Sequence, residues 1–246
     1  MPIRTVFLDD GGVLNDNTRR FAEWQRLVGE FLAPRLGGTP ETWGEANGAV
    51  FERQWRRFEE WQQQRLAADE WGDFFGSAEE RERWLREMCE HVGVTAPPRE
   101  ACVALARETD GYVIPRVRAA FPGAVDAVRA LSNLGYALRT ASGTLSRDLE
   151  RNLTSMGVRD LFAGPLYGPD LVRALKGGRP FYDRIFADAG VSPHEALVVD
   201  DAPDALQHAA QTGARTALVT TRGRPVDGPW STIDSLAELP ALVEQL

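Results

Sequence analysis

Four short stretches of this 246-residue chain carry side chains able to do chemistry together. They are Asp9-Asp10 followed by Gly11-Gly12, Thr140-Ala141-Ser142-Gly143, Lys176 ahead of Gly177-Gly178, and Asp200-Asp201. Carboxylates at close range repel unless a cation sits among them. Hard oxygen ligands with room for water and phosphate suit Mg2+. A lysine is a point charge fit for a phosphate or for a neighbouring carboxylate. Glycines let backbone approach a ligand closely.

These residues act together only if the fold brings them to one place. Ile3 to Leu8 reads as a short buried strand ending at Asp9-Asp10. Tyr136 to Thr140, Phe162 to Tyr167, Ala196 to Val199 and Arg215 to Val219 read as further strands. Helices are expected from Phe121-Pro122-Gly123 to Leu131, from about Leu145 to Met156, from Pro180 to about Ala189, from Pro203 to Thr212, and from Ser235 to the end. Strands alternating with helices imply a parallel sheet covered on both faces, an α/β core of Rossmann-like type. In such sheets ligands bind at the carboxyl ends of the strands. Each of the four stretches falls at a strand end or in a loop before a helix, so three or more carboxylates, a hydroxyl and a lysine are expected on one rim.

Between the first strand and the rest lies a different kind of sequence. Residues 17–112 read as helices, with Phe21, Trp24, Val28 and Phe31 at helical spacing, a helix start at Thr39-Pro40-Glu41, and another at Ser77. Six of the seven tryptophans fall between Trp24 and Trp84. We read this aromatic crowding as the packing of a small helical bundle rather than as an aromatic substrate box. The expected organisation is therefore a core of residues 1–16 and 113–246 with an inserted all-helical cap of residues 17–112, hinged near Asp16 and Tyr112.

Composition removes several function classes. The formal net charge is −8 and no lysine-rich patch is visible, so no nucleic-acid partner is expected. No run of 18 apolar residues and no signal-peptide pattern occurs, so a cytoplasmic protein without a membrane partner is expected. Cys89 and Cys102 are too few for a disulfide framework and read as buried free thiols. His91 lies two residues from Cys89, a spacing that does not put both on one helix face, so a metal site there is not expected. A small-molecule substrate is the better class, for a monomer or homodimer.

The four stretches, in this order, resemble the motifs of the haloacid dehalogenase-like (HAD) superfamily, which is mostly phosphohydrolases. The first motif corresponds to Asp9-Asp10-Gly11-Gly12-Val13-Leu14, the second to the strand ending at Thr140, the third to Lys176, and the fourth to Leu197-Val198-Val199-Asp200-Asp201. The long interval between the first and second motifs matches a family cap inserted there. The resemblance implies that Asp9 is a nucleophile forming an aspartyl-phosphate. It implies Mg2+ held by Asp9, the Gly11 carbonyl and Asp201, with Asp200 nearby or sharing the role. It further implies that Thr140 hydrogen-bonds a phosphoryl oxygen and that Lys176 holds the charges of Asp9 and phosphate. Backbone N–H groups at Gly11, Gly12 and Ala141 would cradle the phosphoryl group.

One position departs from the pattern. Two residues after the nucleophile the phosphatases usually carry a second Asp as general acid, and here that position is Gly11. A general acid contributes about 10² to 10⁴ in rate. Asp10 is no obvious substitute, since neighbours along a strand point to opposite faces. The readings that follow are good leaving groups, an acid from the cap or from Asp16, or a phosphate-binding regulatory protein with impaired turnover. A dehalogenase using Asp9 on carbon also resembles this pattern in lacking the acid, but Asp200-Asp201 argues against that metal-free branch. Asp16 is read as a helix cap, and Asp204 as a first-turn acid or an outer partner of the metal ligands.

Overall fold

The computed structural model describes residues 1–220 and 227–246. Two compact units emerge. One comprises Met1–Asn17, Ala68–Trp71 and Ala119–Leu246, the other Thr18–Ala67 and Gly72–Arg118.

The chain opens with β1 (Thr5–Leu8), four consecutively buried residues. Four helices follow: α1 (Asn17–Leu36), α2 (Pro40–Ala67), α3 (Ala78–Val92) and α4 (Arg99–Val113). Ser77 caps α3, its hydroxyl accepting from the Glu80 N–H, and Gly93 ends it in the left-handed conformation. The aromatic residues of the helical unit contact one another in a row. Phe51 lies 5.1 Å from Phe21 and 5.7 Å from Trp55, and Phe58 lies 5.2 Å from Trp55 and 4.9 Å from Phe75. Trp43 is wholly buried, while Trp55 and Phe75 stay partly in solvent. Arg57 binds Glu80 and Glu87, tying α2 to α3.

The other unit resumes at Ala119, later than the exit expected near Tyr112, because Tyr112 still lies within α4. The chain entering and leaving the helical segment run side by side. Asp16 N–H donates to Ala119 O at 2.8 Å and Phe121 N–H to Leu14 O at 3.0 Å. Then come α5 (Ala124–Asn133), β2 (Ala137–Thr140), α6 (Ser146–Ser155), the short α7 (Pro169–Val172), α8 (Arg179–Ala189), β3 (Ala196–Asp200), α9 (Pro203–Ala210), β4 (Arg215–Val219), β5 (Ser231–Ile233) and α10 (Leu239–Gln245). The final helix was expected from Ser235; a 3-10 turn over Leu236–Glu238 precedes α10 instead.

The sheet is parallel throughout, in the order β2-β1-β3-β4-β5. The strand expected over Phe162–Tyr167 does not form. Only a single bridge joins Phe162 to Leu138, because Gly164 turns left-handed and Pro165 has no N–H to give a ladder. Side chains alternate across the sheet. Val6, Leu8, Leu138, Leu197 and Val199 pack against α5, α6 and α10, whereas Phe7 and Val198 pack against α8 and α9. That alternation decides where the two adjacent carboxylates go.

Candidate active site

β1 lies between β2 and β3, where the direction of winding reverses and a crevice opens at the strand ends. Leu8 pairs with both Thr140 and Val199, so Asp9 is the first residue past the paired segment, beside Ala141 and Asp200. Its N–H donates to Val199 O at 3.1 Å. Asp9 follows Phe7 to the α8 side and Asp10 follows Leu8 to the α6 side. Asp10 is fully buried there, accepting from Asn15 Nδ2 at 2.7 Å and from Asn152 Nδ2 at 2.9 Å. Both of its oxygens thus hold the loop after β1 onto α6, which accounts structurally for the second acid of the pair.

Lys176, in the loop before α8, joins the remaining carboxylates. Its Nζ lies 2.7 Å from Asp9 Oδ2 and 2.7 Å from Asp200 Oδ2. Asp200 is fully buried and its Oδ1 accepts from the Ala202 N–H at 3.0 Å. Asp201 follows, and one oxygen from each of Asp9, Asp200 and Asp201 falls within 4.8 Å of the others. Among the described residues three carboxylates meet one ammonium here, and their pKa values shift accordingly. Burial pushes Asp200 up to about 7, against the opposing pull of Lys176 and with Asp9 adding to the rise. Burial and the Asp9 charge raise Asp201. Burial works against the Lys176 ammonium, but Asp200 and Asp9 outweigh it and hold its pKa above the ordinary lysine value.

This donor set fits a hard divalent cation. All donors are oxygen, and among the described residues three carboxylates meet a single ammonium. Asp9, Asp200 and Asp201 are the side chains that would hold Mg2+.

The second motif brings two hydroxyls, Thr140 and Ser142, to the end of β2. Thr140 is buried at the end of β2, but its hydroxyl donates to Tyr167 O at 3.2 Å, so its hydrogen is committed to backbone. Ser142 lies two residues on, also buried, and its Oγ accepts from the Thr144 N–H, an arrangement that leaves its own hydrogen to donate. The next residue, Gly143, sits against the Lys176 side chain. The expected backbone cradle is also reduced. Gly12 N–H donates to Asn15 O at 2.8 Å and Ala141 N–H to Leu8 O at 3.0 Å, so Gly11 is the remaining member of that trio. Gly12 still has a clear role. It stands at φ +84°, and a Cβ there would lie 2.0 Å from Asp201 Oδ2, so the glycine lets Asp201 lie directly over the loop.

Tyr182 was not assigned from sequence. It projects from α8, fully buried, and its hydroxyl has no hydrogen-bond partner among the described residues. Burial raises its pKa, and the charges of Lys176, Asp200 and Asp9 all act on it. Its spacing of six residues from Lys176 is the only sequence signal that would have pointed to it. Asp16 is buried immediately ahead of α1, and Asp204 is exposed in the first turn of α9.

A family model for haloacid dehalogenase-like hydrolases matches residues 3–213. The chain belongs to this family. Among curated proteins, the hydrolase is 27% identical over 170 residues to phosphoglycolate phosphatase 1 of Pseudomonas aeruginosa, an alignment covering 66% of this chain and 61% of that protein. The match thus spans less than two thirds of that relative. Among solved structures it resembles a Bacillus subtilis HAD-hydrolase bound to magnesium, with a TM-score of 0.71, 16% identity and 99% of each chain covered. It also resembles L-2-haloacid dehalogenase from Xanthobacter autotrophicus with chloropropionic acid covalently bound, with a TM-score of 0.66, 17% identity and 99% of each chain covered. At these identities the structures support the hydrolase's fold and leave its substrate to its own residues. Among the described residues no helix is long and apolar enough to cross a membrane.

Proposed function

We propose that the hydrolase is an Mg2+-dependent phosphohydrolase of a small phosphorylated metabolite, working through an aspartyl-phosphate on Asp9. The observation that carries this reading is the convergence of Asp9, Asp200 and Asp201 around one point with, among the described residues, a single ammonium beside them. Phosphoryl transfer calls for such a cluster, since the phosphorus under attack carries its own anionic oxygens, whereas the carbon that loses a halide bears no charge. When bound, the ion supplies neutralisation of that charge.

The chain's own residues divide the remaining work. Lys176 fixes Asp9 through Oδ2 and leaves Oδ1 to attack phosphorus. Asp200 anchors Lys176 and is itself oriented by the Ala202 N–H. Ser142 donates to a phosphoryl oxygen, with Thr140 holding the strand end on Tyr167 O beneath it. The likeness to a phosphoglycolate phosphatase supports phosphoryl chemistry.

A second reading has two observations in its favour: no acid stands at Gly11, and a solved structural neighbour is a 2-haloacid dehalogenase. Phosphate release from a panel of acetyl phosphate, aryl phosphates and sugar phosphates, with Mg2+ and with chelator, separates the two. Metal-dependent release supports the phosphohydrolase. Halide release from 2-chloropropionate in the presence of chelator, without phosphate release, would replace it with the dehalogenase. Phosphate binding without any turnover would point to a regulatory role.

Gly12→Ala tests the cation site apart from turnover. A methyl group there meets both an unfavourable φ and the Asp201 carboxylate. The variant is expected to lose about 1–3 kcal/mol of stability and to bind Mg2+ at least about tenfold more weakly, a ratio worth about 1.4 kcal/mol. Calorimetric titration with Mg2+ and urea unfolding measure the two effects.

A further inference from the structure

Gly11 and Gly12 look equivalent in the sequence, but the structure gives them different reasons. Gly12 has a positive φ, whereas Gly11 is absent from the left-handed glycines, so its backbone would accept any L residue. What stands in the way of a side chain at Gly11 is Asn17. A Cβ built on Gly11 would lie 2.7 Å from Asn17 Oδ1, 3.3 Å from Nδ2 and 3.4 Å from Cγ. The Asn17 carboxamide therefore fills the volume in which a side chain at position 11 would begin, two residues past Asp9 and next to the Asp201-covered Gly12. Two neighbouring carboxylates of the same unit have other tasks. Asp10 is held by Asn15 and Asn152 on the far side of the sheet, and Asp201 lies over Gly12.

We propose that Asn17 is the residue that meets the leaving group, in place of a proton donor, and that it fits the site to acyl phosphates. This rests on the phosphohydrolase reading above. Asp9 Oδ1 forms a bond to phosphorus as the bond from phosphorus to the leaving oxygen breaks, and the electron pair stays on that oxygen. An alkoxide left in this way is a strong base and needs a proton at once. A carboxylate does not, because its pKa lies far below neutrality. A carboxamide N–H donates a hydrogen bond to the departing oxygen but has no proton to transfer. Asn17 therefore stabilises a leaving group that departs as an anion and does little for one that must be protonated. In the second step water attacks the phosphorus of the aspartyl-phosphate. The Oδ1–P bond breaks, its electron pair returns to Asp9, and the water proton leaves on the inorganic phosphate.

The test is the dependence of rate on leaving-group basicity. Acetyl phosphate, a graded series of aryl phosphates, and two alkyl phosphates, glycerol phosphate and phosphoglycolate, are compared in wild type, Asn17→Ala and Asn17→Asp with Mg2+ present. In wild type, kcat/KM is expected to fall steeply with leaving-group basicity, and the alkyl phosphates to trail acetyl phosphate by about 10² or more, the lower end of what a general acid supplies. Asn17→Ala is expected to lose about tenfold on acetyl phosphate, the worth of one hydrogen bond of about 1–1.5 kcal/mol, chiefly in kcat. Asn17→Asp is expected to flatten the dependence by raising the alkyl phosphates. Asn17 is exposed at the start of α1, so both variants should fold, and inorganic phosphate, titrated by calorimetry, should bind them as it binds wild type. Turnover with a flat dependence in wild type, an unchanged acetyl phosphate rate in Asn17→Ala, or loss of phosphate binding in Asn17→Ala would each overturn the assignment of Asn17 and leave the phosphohydrolase standing. No phosphate release from any substrate, acetyl phosphate included, would overturn both.

Discussion

Replacing Asp9 by Asn is expected to lower phosphate release by at least about 10⁴-fold, the scale on which enzymes lose rate when the nucleophile itself is removed. The amide is nearly isosteric but carries no anionic oxygen to attack phosphorus. The same substitution should not weaken the metal-free fold, and this pairing of effects makes the prediction specific. Asp9 is one of three carboxylates crowded around Lys176, and its charge contributes to raising both Asp200 and Asp201. Removing it relieves that repulsion while Asp200 keeps its contact with the lysine. Thermal unfolding in chelator is therefore expected to show a midpoint equal to or above that of wild type. The upward shift on adding Mg2+ should shrink, because one of the three proposed ligands is gone. Residual metal-dependent turnover within tenfold of wild type would remove Asp9 from the nucleophile's role.

Much of this site was legible because parallel sheets have a rule: whatever ends the strands shares one rim. Asp9, Asp200 and Lys176 follow from that rule and from the expected order of elements, and they are in ion-pair contact. What the sequence could not express was which neighbour each group already has. The Thr140 hydroxyl looks available until the Tyr167 carbonyl, 27 residues away, takes its hydrogen. Gly12 and Ala141 N–H look available until Asn15 and Leu8 accept from them. Gly11 and Gly12 are identical as letters, and only the fold shows that one yields to a backbone conformation and Asp201 while the other yields to Asn17. The errors in the fold have similar causes. Phe162–Tyr167 has strand-like composition, but Gly164-Pro165 interrupts it. Ser231–Ile233 forms a strand too short to show a period of two and is recruited by pairing with β4.

The second large effect is expected at Lys176. Lys176→Met keeps the length of the side chain and removes its charge, so Asp9 and Asp200 face each other without a counter-ion. Taking one partner from a buried ion pair costs about 3–5 kcal/mol when the other charge stays unpaired. Asp200 escapes part of this by taking up a proton. In wild type burial already holds its pKa near 7, and losing the lysine, which pulls it down, raises it further. The sign of the pH dependence follows. A carboxyl whose folded pKa lies above its unfolded value of about 4 destabilises the fold once the unfolded form begins to ionise. That cost grows with rising pH until the folded carboxyl also ionises, and then levels off. In wild type without metal the decline attributable to Asp200 should end near pH 7, and in Lys176→Met it should continue to higher pH. Mg2+ binds only the ionised carboxylates, so it releases protons and should restore part of the lost stability at pH 8 and little at pH 6. Activity is expected to fall by about 10² to 10³ even with saturating Mg2+, the scale of losing one fixed electrostatic contact to the reacting groups. Urea unfolding between pH 5 and 9, with chelator and with Mg2+, reads the effects on stability, and phosphate release at saturating Mg2+ reads the loss of activity. A Lys176→Met protein as stable as wild type at pH 8 in chelator would show that the lysine does not hold Asp9 and Asp200 together in solution.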